Sequence, residues 1–165
     1  MVQKKVQVLW NKQVCPSYYR IGLKCTGYSD AKPGQFIMLR MPDRSAALLS
    51  RPFSINRCIP KQEGIEGIEV LYKVVGNRTA KLSRVQKGES VIILGPLGNG
   101  FSVSEECRRI YIVGGGVGIA PMLFLASSLR NGNVDLSESK VFVGGKTKDD
   151  LLCEDDFSPL GIGVQ

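Results

Sequence analysis

The chain has 165 residues, 43% hydrophobic and 22% charged, which fits one ordinary globular domain or two small ones. It carries 22 basic and 15 acidic residues for a formal charge of +7, and no histidine, so histidine triads, histidine metal sites and histidine proton shuttles are excluded within it. No apolar run of about 18 residues exists, so no membrane span is expected.

Residues 1–103 read as strands. Met1–Val6 lacks the apolar stretch of a signal peptide, and a cytoplasmic location is expected. Val6–Trp10 and Tyr18–Cys25 alternate apolar and polar positions, the period of a half-buried strand. Lys32-Pro33-Gly34-Gln35 predicts a turn before the strand Phe36–Met41, and Pro42-Asp43-Arg44-Ser45 the next loop. Leu49–Arg57 is strand-like. A loop follows over Pro60–Gly67, then a strand over Ile68–Val75, a short helix near Thr79–Val85 and a strand over Ser90–Leu94. Six short strands without long helices between them predict a closed antiparallel barrel.

The pattern changes after Cys107. Arg109–Val113 is a short apolar run ending in a glycine cluster, and Ile119–Arg130 has helical spacing, with Met122, Leu123, Ala126 and Leu129 on one face. Pro121 suits the first helical turn. Lys140–Gly145 predicts a second strand, Thr147 an N-cap for Lys148–Cys153, and Ile162–Gln165 the start of a third strand. Strand, helix and strand imply a parallel sheet with a right-handed crossover. The expected organisation is therefore a barrel over 1–103 and a Rossmann-like α/β domain over 104–165. The second has too few strands to cover both faces and both edges, so the chain is expected to be a fragment, or else to rely on a partner that completes the sheet, with the fragment favoured.

Four stretches carry candidate chemistry. Arg51-Pro52-Phe53-Ser54 joins a planar cation, a fixed backbone, an aromatic face and a hydroxyl, as a flat, phosphate-bearing ligand requires. Gly76-Asn77-Arg78-Thr79, after a strand, offers a tight turn whose backbone N–H groups and hydroxyl suit a pyrophosphate. Gly95–Phe101 permits close approach to a ligand or between domains. Gly114-Gly115-Gly116-Val117-Gly118-Ile119-Ala120-Pro121 puts glycines between a strand and a helix N-terminus, where phosphate is favoured. The last is not the strict dinucleotide fingerprint: Glu138 has about the right spacing for a ribose ligand but precedes a strand. Singly, each stretch has a plainer reading as an edge strand, a capped turn, a connector and a structural turn. Cys15, Cys25, Cys58, Cys107 and Cys153 form no C-x-x-C pair, so reduced thiols are expected rather than a bound metal or cluster. The basic charge suits nucleotides or an acidic partner. No basic stripe interleaved with aromatics points to nucleic acid.

In order and spacing, the four stretches together resemble the ferredoxin–NADP reductase superfamily over essentially the whole chain. Within it, the R-P-F-S-I, V-V-G-x-x-T and G-P-L-G-N-G-F forms are most similar to the electron-transfer subunit of dihydroorotate dehydrogenase. That resemblance implies an FAD-binding barrel followed by a nicotinamide nucleotide domain, NAD(P). Arg51 would bind FAD phosphate, Pro52, Phe53 and Ser54 would border the flavin, and Gly76, Asn77, Arg78 and Thr79 would hold the pyrophosphate. Leu71, Tyr72 and Lys73 would contact the flavin nucleotide, and Gly114, Gly115, Gly116, Val117, Gly118 and Pro121 would receive the nicotinamide nucleotide. It further implies hydride transfer with NAD(P)H, no acid–base side chain, and passage of single electrons to a [2Fe–2S] centre whose cysteine cluster would lie beyond Gln165. The implied partner is a catalytic dehydrogenase subunit or a ferredoxin-like protein. The alternatives are the flavin subunit of a ferredoxin-linked NADPH oxidoreductase, the gamma subunit of a sulfhydrogenase, or a non-catalytic FAD-binding module.

Overall fold

The computed structural model describes residues 3–42, 50–104, 107 and 109–165. Leu49 and the loop residues Asp43, Arg44 and Ser45 lie outside the described residues. The strands β1 (Gln3–Cys15), β2 (Tyr18–Lys24), β3 (Phe36–Arg40), β4 (Arg51–Pro60), β5 (Ile65–Lys73) and β6 (Ser90–Leu97) form a closed barrel in the order β1-β2-β5-β4-β3-β6. Every pair is antiparallel. Closure gives every strand two neighbours, and the alternating apolar residues point to one core. Ile21, Leu23, Ile37, Ile55, Ile68 and Val91 are wholly buried there. Each such side chain contributes about 1.5–3 kcal/mol relative to exposure.

The barrel and the smaller parallel sheet match the fold class expected above, with shifted boundaries. β1 continues past Trp10 to Cys15 because Lys12 and Gln13 still pair with Arg20 and Tyr19, so the backbone ladder outlasts the apolar alternation. β6 continues through Gly95 and Pro96, where Phe36 pairs with Leu97, although those residues read as a loop. The helix expected near Thr79 is α1 (Asn77–Leu82). The expected helix over Lys148–Cys153 does not form. A single 3-10 turn spans Lys148–Asp150, Leu151 is extended, Cys153 has φ of 65°, and α3 follows at Glu154–Phe157. Asp150 folds back on Thr147 to close that turn, and Leu152 and Phe157 are buried on either side of the break.

The second sheet is parallel in the order β7 (Tyr111–Gly115), β8 (Lys140–Gly144) and β9 (Gly163–Val164). Helix α2 (Ala120–Asn131) connects β7 and β8, with Pro121 in its first turn. Leu123 and Ala126 of α2 share one buried cluster with Ile112 and Val141. The opposite face shows Tyr111, Val113 and Phe142, of which Val113 is 76% exposed. The two parts are packed together: Phe124 of α2 enters the barrel core, and Tyr18 and Leu71 of the barrel enter the second cluster.

Candidate functional site

The β4–β5 ladder ends at Ile55 and Val70. Beyond that point Arg51–Phe53 pair only with β3, and Leu71–Lys73 only with β2. The barrel wall parts there, and a cleft of about 570 Å³ opens in the gap. Its walls are Arg51, Pro52, Phe53 and Ser54 from β4, Leu71, Tyr72 and Lys73 from β5, Val75 to Thr79 from the next turn, and Val117 from the glycine turn. A narrower recess lined by Arg40, Arg78 and Lys81 continues it past Arg51 and Phe53. Pro52 forfeits no ladder bond on the β5 side, because none exists there. This volume is within the usual range for small-molecule sites.

Each wall has a different means of support. The Phe53 ring meets Tyr72 edge-on at 5.9 Å, and Tyr72 stacks on Tyr19 at 5.6 Å. The Tyr72 hydroxyl donates to Asn11 Oδ1 at 3.0 Å, and burial raises its pKa well above that of a free phenol. Asn11 Nδ2 in turn donates to the Leu82 and Val85 carbonyls at 2.8 and 3.1 Å, tying the aromatic wall to the end of α1. The Thr79 hydroxyl accepts from the Val75 and Gly76 N–H groups at 2.9 and 3.2 Å and donates to the Gly76 carbonyl at 3.0 Å. That uses the full capacity of the hydroxyl, so Thr79 shapes the turn. A Cβ placed on Gly76 would meet nothing within 4 Å, leaving open space beside the cleft.

The glycine turn divides by role. Gly114 and Gly115 belong to β7, and Gly116–Ile119 form a 3-10 turn, so the expected loop is shorter than its glycine run. A Cβ on Gly114 would lie 2.8 Å from Ile119 Cδ1, and one on Gly115 would lie 3.0 Å from the Gly144 carbonyl. Gly116 has φ of 51° and faces the Tyr18 hydroxyl. These three are required by close packing and by the turn itself. Gly118 has open space around it. Of this cluster only Val117 lines the cleft; Gly114, Gly115, Gly116, Gly118 and Pro121 do not.

Lys73 is held by a group from far along the chain. Its Nζ donates to Asp150 Oδ1 at 3.0 Å and stands 4.6 Å from the Tyr18 ring centroid. The Tyr18 hydroxyl donates to the same Asp150 oxygen. Asp150 Oδ2 accepts from the Thr147 N–H and hydroxyl, each at 3.2 Å. The Tyr18 hydroxyl, then Lys73, hold the Asp150 carboxyl well below the usual carboxylate range. A second cross-link joins Arg20 and Arg57 to Asp156. Arg57 also pairs with buried Glu69 at 2.9 Å, which accepts from Asn56 Nδ2 at 2.8 Å. In each cross-link the barrel supplies the cation and the second part the carboxylate. No local pattern marks these partners, which lie 77 to 136 positions apart.

No protein-family model matches the chain. It is 42% identical over 129 residues to the electron transfer subunit of dihydroorotate dehydrogenase B from Clostridium acetobutylicum, covering 78% of this chain and 49% of that protein. It is 33% identical over 162 residues to the subunit of the same name from Enterococcus faecalis, covering 96% and 59%. The chain thus spans about half to three-fifths of the length of these relatives. Among solved structures, the NADH-dependent reduced ferredoxin-NADP oxidoreductase superposes with a TM-score of 0.79 at 25% identity, over 96% of this chain and 55% of that one. A ferredoxin NADP+ reductase from Neisseria gonorrhoeae with bound FAD and NADP superposes with a TM-score of 0.74 at 17% identity, over 95% and 63%.

Proposed function

The chain has the ferredoxin–NADP reductase-like fold and is related in sequence to the electron transfer subunits of dihydroorotate dehydrogenase B, and from that premise we propose that it is a flavoprotein module. It holds FAD in the barrel cleft and meets a nicotinamide nucleotide at the glycine turn. The observation that carries this reading is the cleft itself. It combines an aromatic wall at Phe53, backed by buried Tyr72, with a guanidinium at Arg51 and a glycine-opened turn at Gly76, at the point where β4 and β5 part.

The residues present fit FAD. Arg51 offers a planar pair of donors to a phosphate, and Arg40, Arg78 and Lys81 make the adjoining recess basic. Phe53 gives flat apolar surface whose orientation is fixed by buried Tyr72 behind it, and Ser54 a hydroxyl at the same rim. Val75 is 78% exposed and Val117 40%, apolar surface that a bound ring system would cover. The turn from Gly76 to Thr79 receives the pyrophosphate through its backbone, with the Thr79 hydroxyl committed to shaping it. When bound, FAD supplies the exchange between hydride and single-electron transfer. The protein's part is to orient, to exclude water and to hold charge. Lys73 neutralises Asp150 and Asp150 fixes the Thr147 turn, so the second part is set rigidly against one wall of the cleft.

As in the family that the sequence resembles, the flavin would exchange electrons with an iron–sulfur centre and, through it, with a catalytic dehydrogenase subunit of pyrimidine biosynthesis. Titration of the purified chain with FAD tests the first step: quenching of flavin fluorescence with a stoichiometry of one supports it. Anaerobic bleaching of the bound flavin by NADH or NADPH tests the second. A colourless protein that takes up no FAD would overturn the assignment, and FAD binding without bleaching would reduce it to a binding module.

A further inference from the structure

A second cavity, of about 520 Å³, lies at the other end of the same strands. Ile65 and Glu66 from the start of β5, Lys61 just after β4, Lys4 to Val6 of β1 and Lys24 to Thr26 around the end of β2 line it. The five residue steps of β5 from Glu66 to Leu71 separate the two linings by roughly 17 Å along the strand, at about 3.3 Å per residue. Four lysines, Lys4, Lys5, Lys24 and Lys61, contribute to its lining, against one carboxylate, Glu66. The lining carries a net charge of 4 − 1 = +3.

Three other cations of the barrel, unlike these lysines, are held by carboxylates. Arg20, Arg57 and Lys73 each pair with a carboxylate within 4 Å. Among the described residues no carboxylate pairs with Lys4, Lys5, Lys24 or Lys61. Lys4 occupies the inward phase of β1, with Val6 and Val8, and its ammonium donates to the Thr26 carbonyl at 3.2 Å, which draws it over the cavity mouth. Lys4 from the inward phase, with Lys24 and Lys61 at the strand ends, brings like charge to one rim, and a multivalent anion relieves the repulsion between them. The lining has no aromatic ring on which a base could stack. Lysine ammonium groups bind phosphate oxygens as point charges, without the planar fork that arginine offers to a carboxylate or a phosphate.

We propose that this pole of the barrel is a second ligand site, taking the phosphate chain of an oligophosphate and not a base. The argument is independent of the flavin reading, since no residue is shared between the two cavities. The test is calorimetric titration of the whole chain with inorganic tripolyphosphate at low and at physiological ionic strength. The comparison is with the variant Lys4→Gln/Lys24→Gln/Lys61→Gln. The expected result is one site per chain, weakened on the order of tenfold or more in the variant. Neutralising three exposed lysines elsewhere, Lys87→Gln/Lys140→Gln/Lys146→Gln, is expected to change it less than about threefold. The fold of each variant is checked by its melting temperature, which tripolyphosphate should raise only where this cavity is intact. Binding lost equally in both lysine sets would mean diffuse surface charge and would overturn the proposal. So would binding lost in Arg51→Ala but kept in Lys4→Gln/Lys24→Gln/Lys61→Gln, which would place the anion in the first cleft. ATP binding at this pole far more tightly than tripolyphosphate would show a base-reading site and overturn the proposal as stated. Absence of any binding at low ionic strength would also overturn it.

Discussion

The six-stranded barrel and the three-stranded sheet bury their apolar residues by different means. In the barrel each strand has two neighbours, and the inward phase of every strand meets the others around one axis. In the second part β7 has one neighbour, and Tyr111, Val113 and Phe142 stand exposed on the face away from α2. What holds that sheet in place is borrowed from the barrel: Tyr18 and Leu71 complete its core, and Arg20, Arg57 and Lys73 bind its carboxylates. The contrast teaches that closure makes a barrel self-sufficient, whereas a short parallel sheet takes its stability from what it packs on.

The strongest way to break the comparison is at Phe124, which belongs to the second part but is buried in the barrel core. Phe124→Ala should destabilise the chain by about 3–5 kcal/mol in urea unfolding, with barrel and second part melting together. Separate transitions in the wild-type chain would show that the packing between them is weak.

Arg51→Ala should weaken FAD binding by about 1.5–3 kcal/mol, through loss of one charge-assisted contact, with little change in melting temperature. Its counterpart in the second part is Gly118→Ala, which meets open space and should leave both the fold and the FAD dissociation constant unchanged while raising the KM for the nicotinamide nucleotide. An unchanged FAD affinity in Arg51→Ala would return Arg51 to a solvated strand end.

Asp150→Asn should loosen the second part and spare the barrel. Amide exchange over residues 147–151 should rise well before that of β2 or β5. The pH dependence has a fixed sign. A carboxyl whose folded pKa is depressed stabilises above its unfolded value of about 3.9, and that contribution fades as pH falls below it. The difference between wild type and Asp150→Asn should therefore be flat from about pH 8 to pH 5 and shrink in stronger acid. A difference that instead vanished near neutrality would contradict the depressed carboxyl.

The smallest effect sharpens the same contrast. Burial pushes the Cys25 and Cys153 thiols up to about 11. Both should resist alkylation at neutral pH, because little thiolate is present. Cys25 lies in the barrel core and Cys153 in the second cluster. Mass spectrometry should find Cys153 labelled first if the sheet opens locally, and Asp150→Asn should widen the gap.

Much of the fold was legible in sequence because its signals are local. Alternation marked the strands, and the shift to helical spacing after the glycine run marked the βαβ unit. The misplaced boundaries share one cause. Gly95 and Pro96 read as breakers, yet β6 continues through them because β3 supplies a partner for Leu97. Lys148–Cys153 read as a capped helix, yet Asp150 turns back to Thr147 and outward to Lys73 and Tyr18. Of the candidate site, Arg51–Ser54, Leu71–Lys73 and Gly76–Thr79 come together in one cleft, whereas of the glycine cluster only Val117 reaches it. Val75, the second valine of the V-V-G-x-x-T form, also lines the cleft, although it was not among the candidate site residues.

The sequence by itself determined the residue types available to the cleft and the order in which the chain delivers them, because side-chain chemistry and strand periodicity are local properties. Tertiary structure alone decided that β4 and β5 part after Ile55 and Val70, that Thr79 spends its hydroxyl on the turn, and that Lys73 faces Asp150. Each of these depends on which distant backbone or carboxylate arrives beside a residue, and only closure of the barrel and docking of the sheet against it fix that.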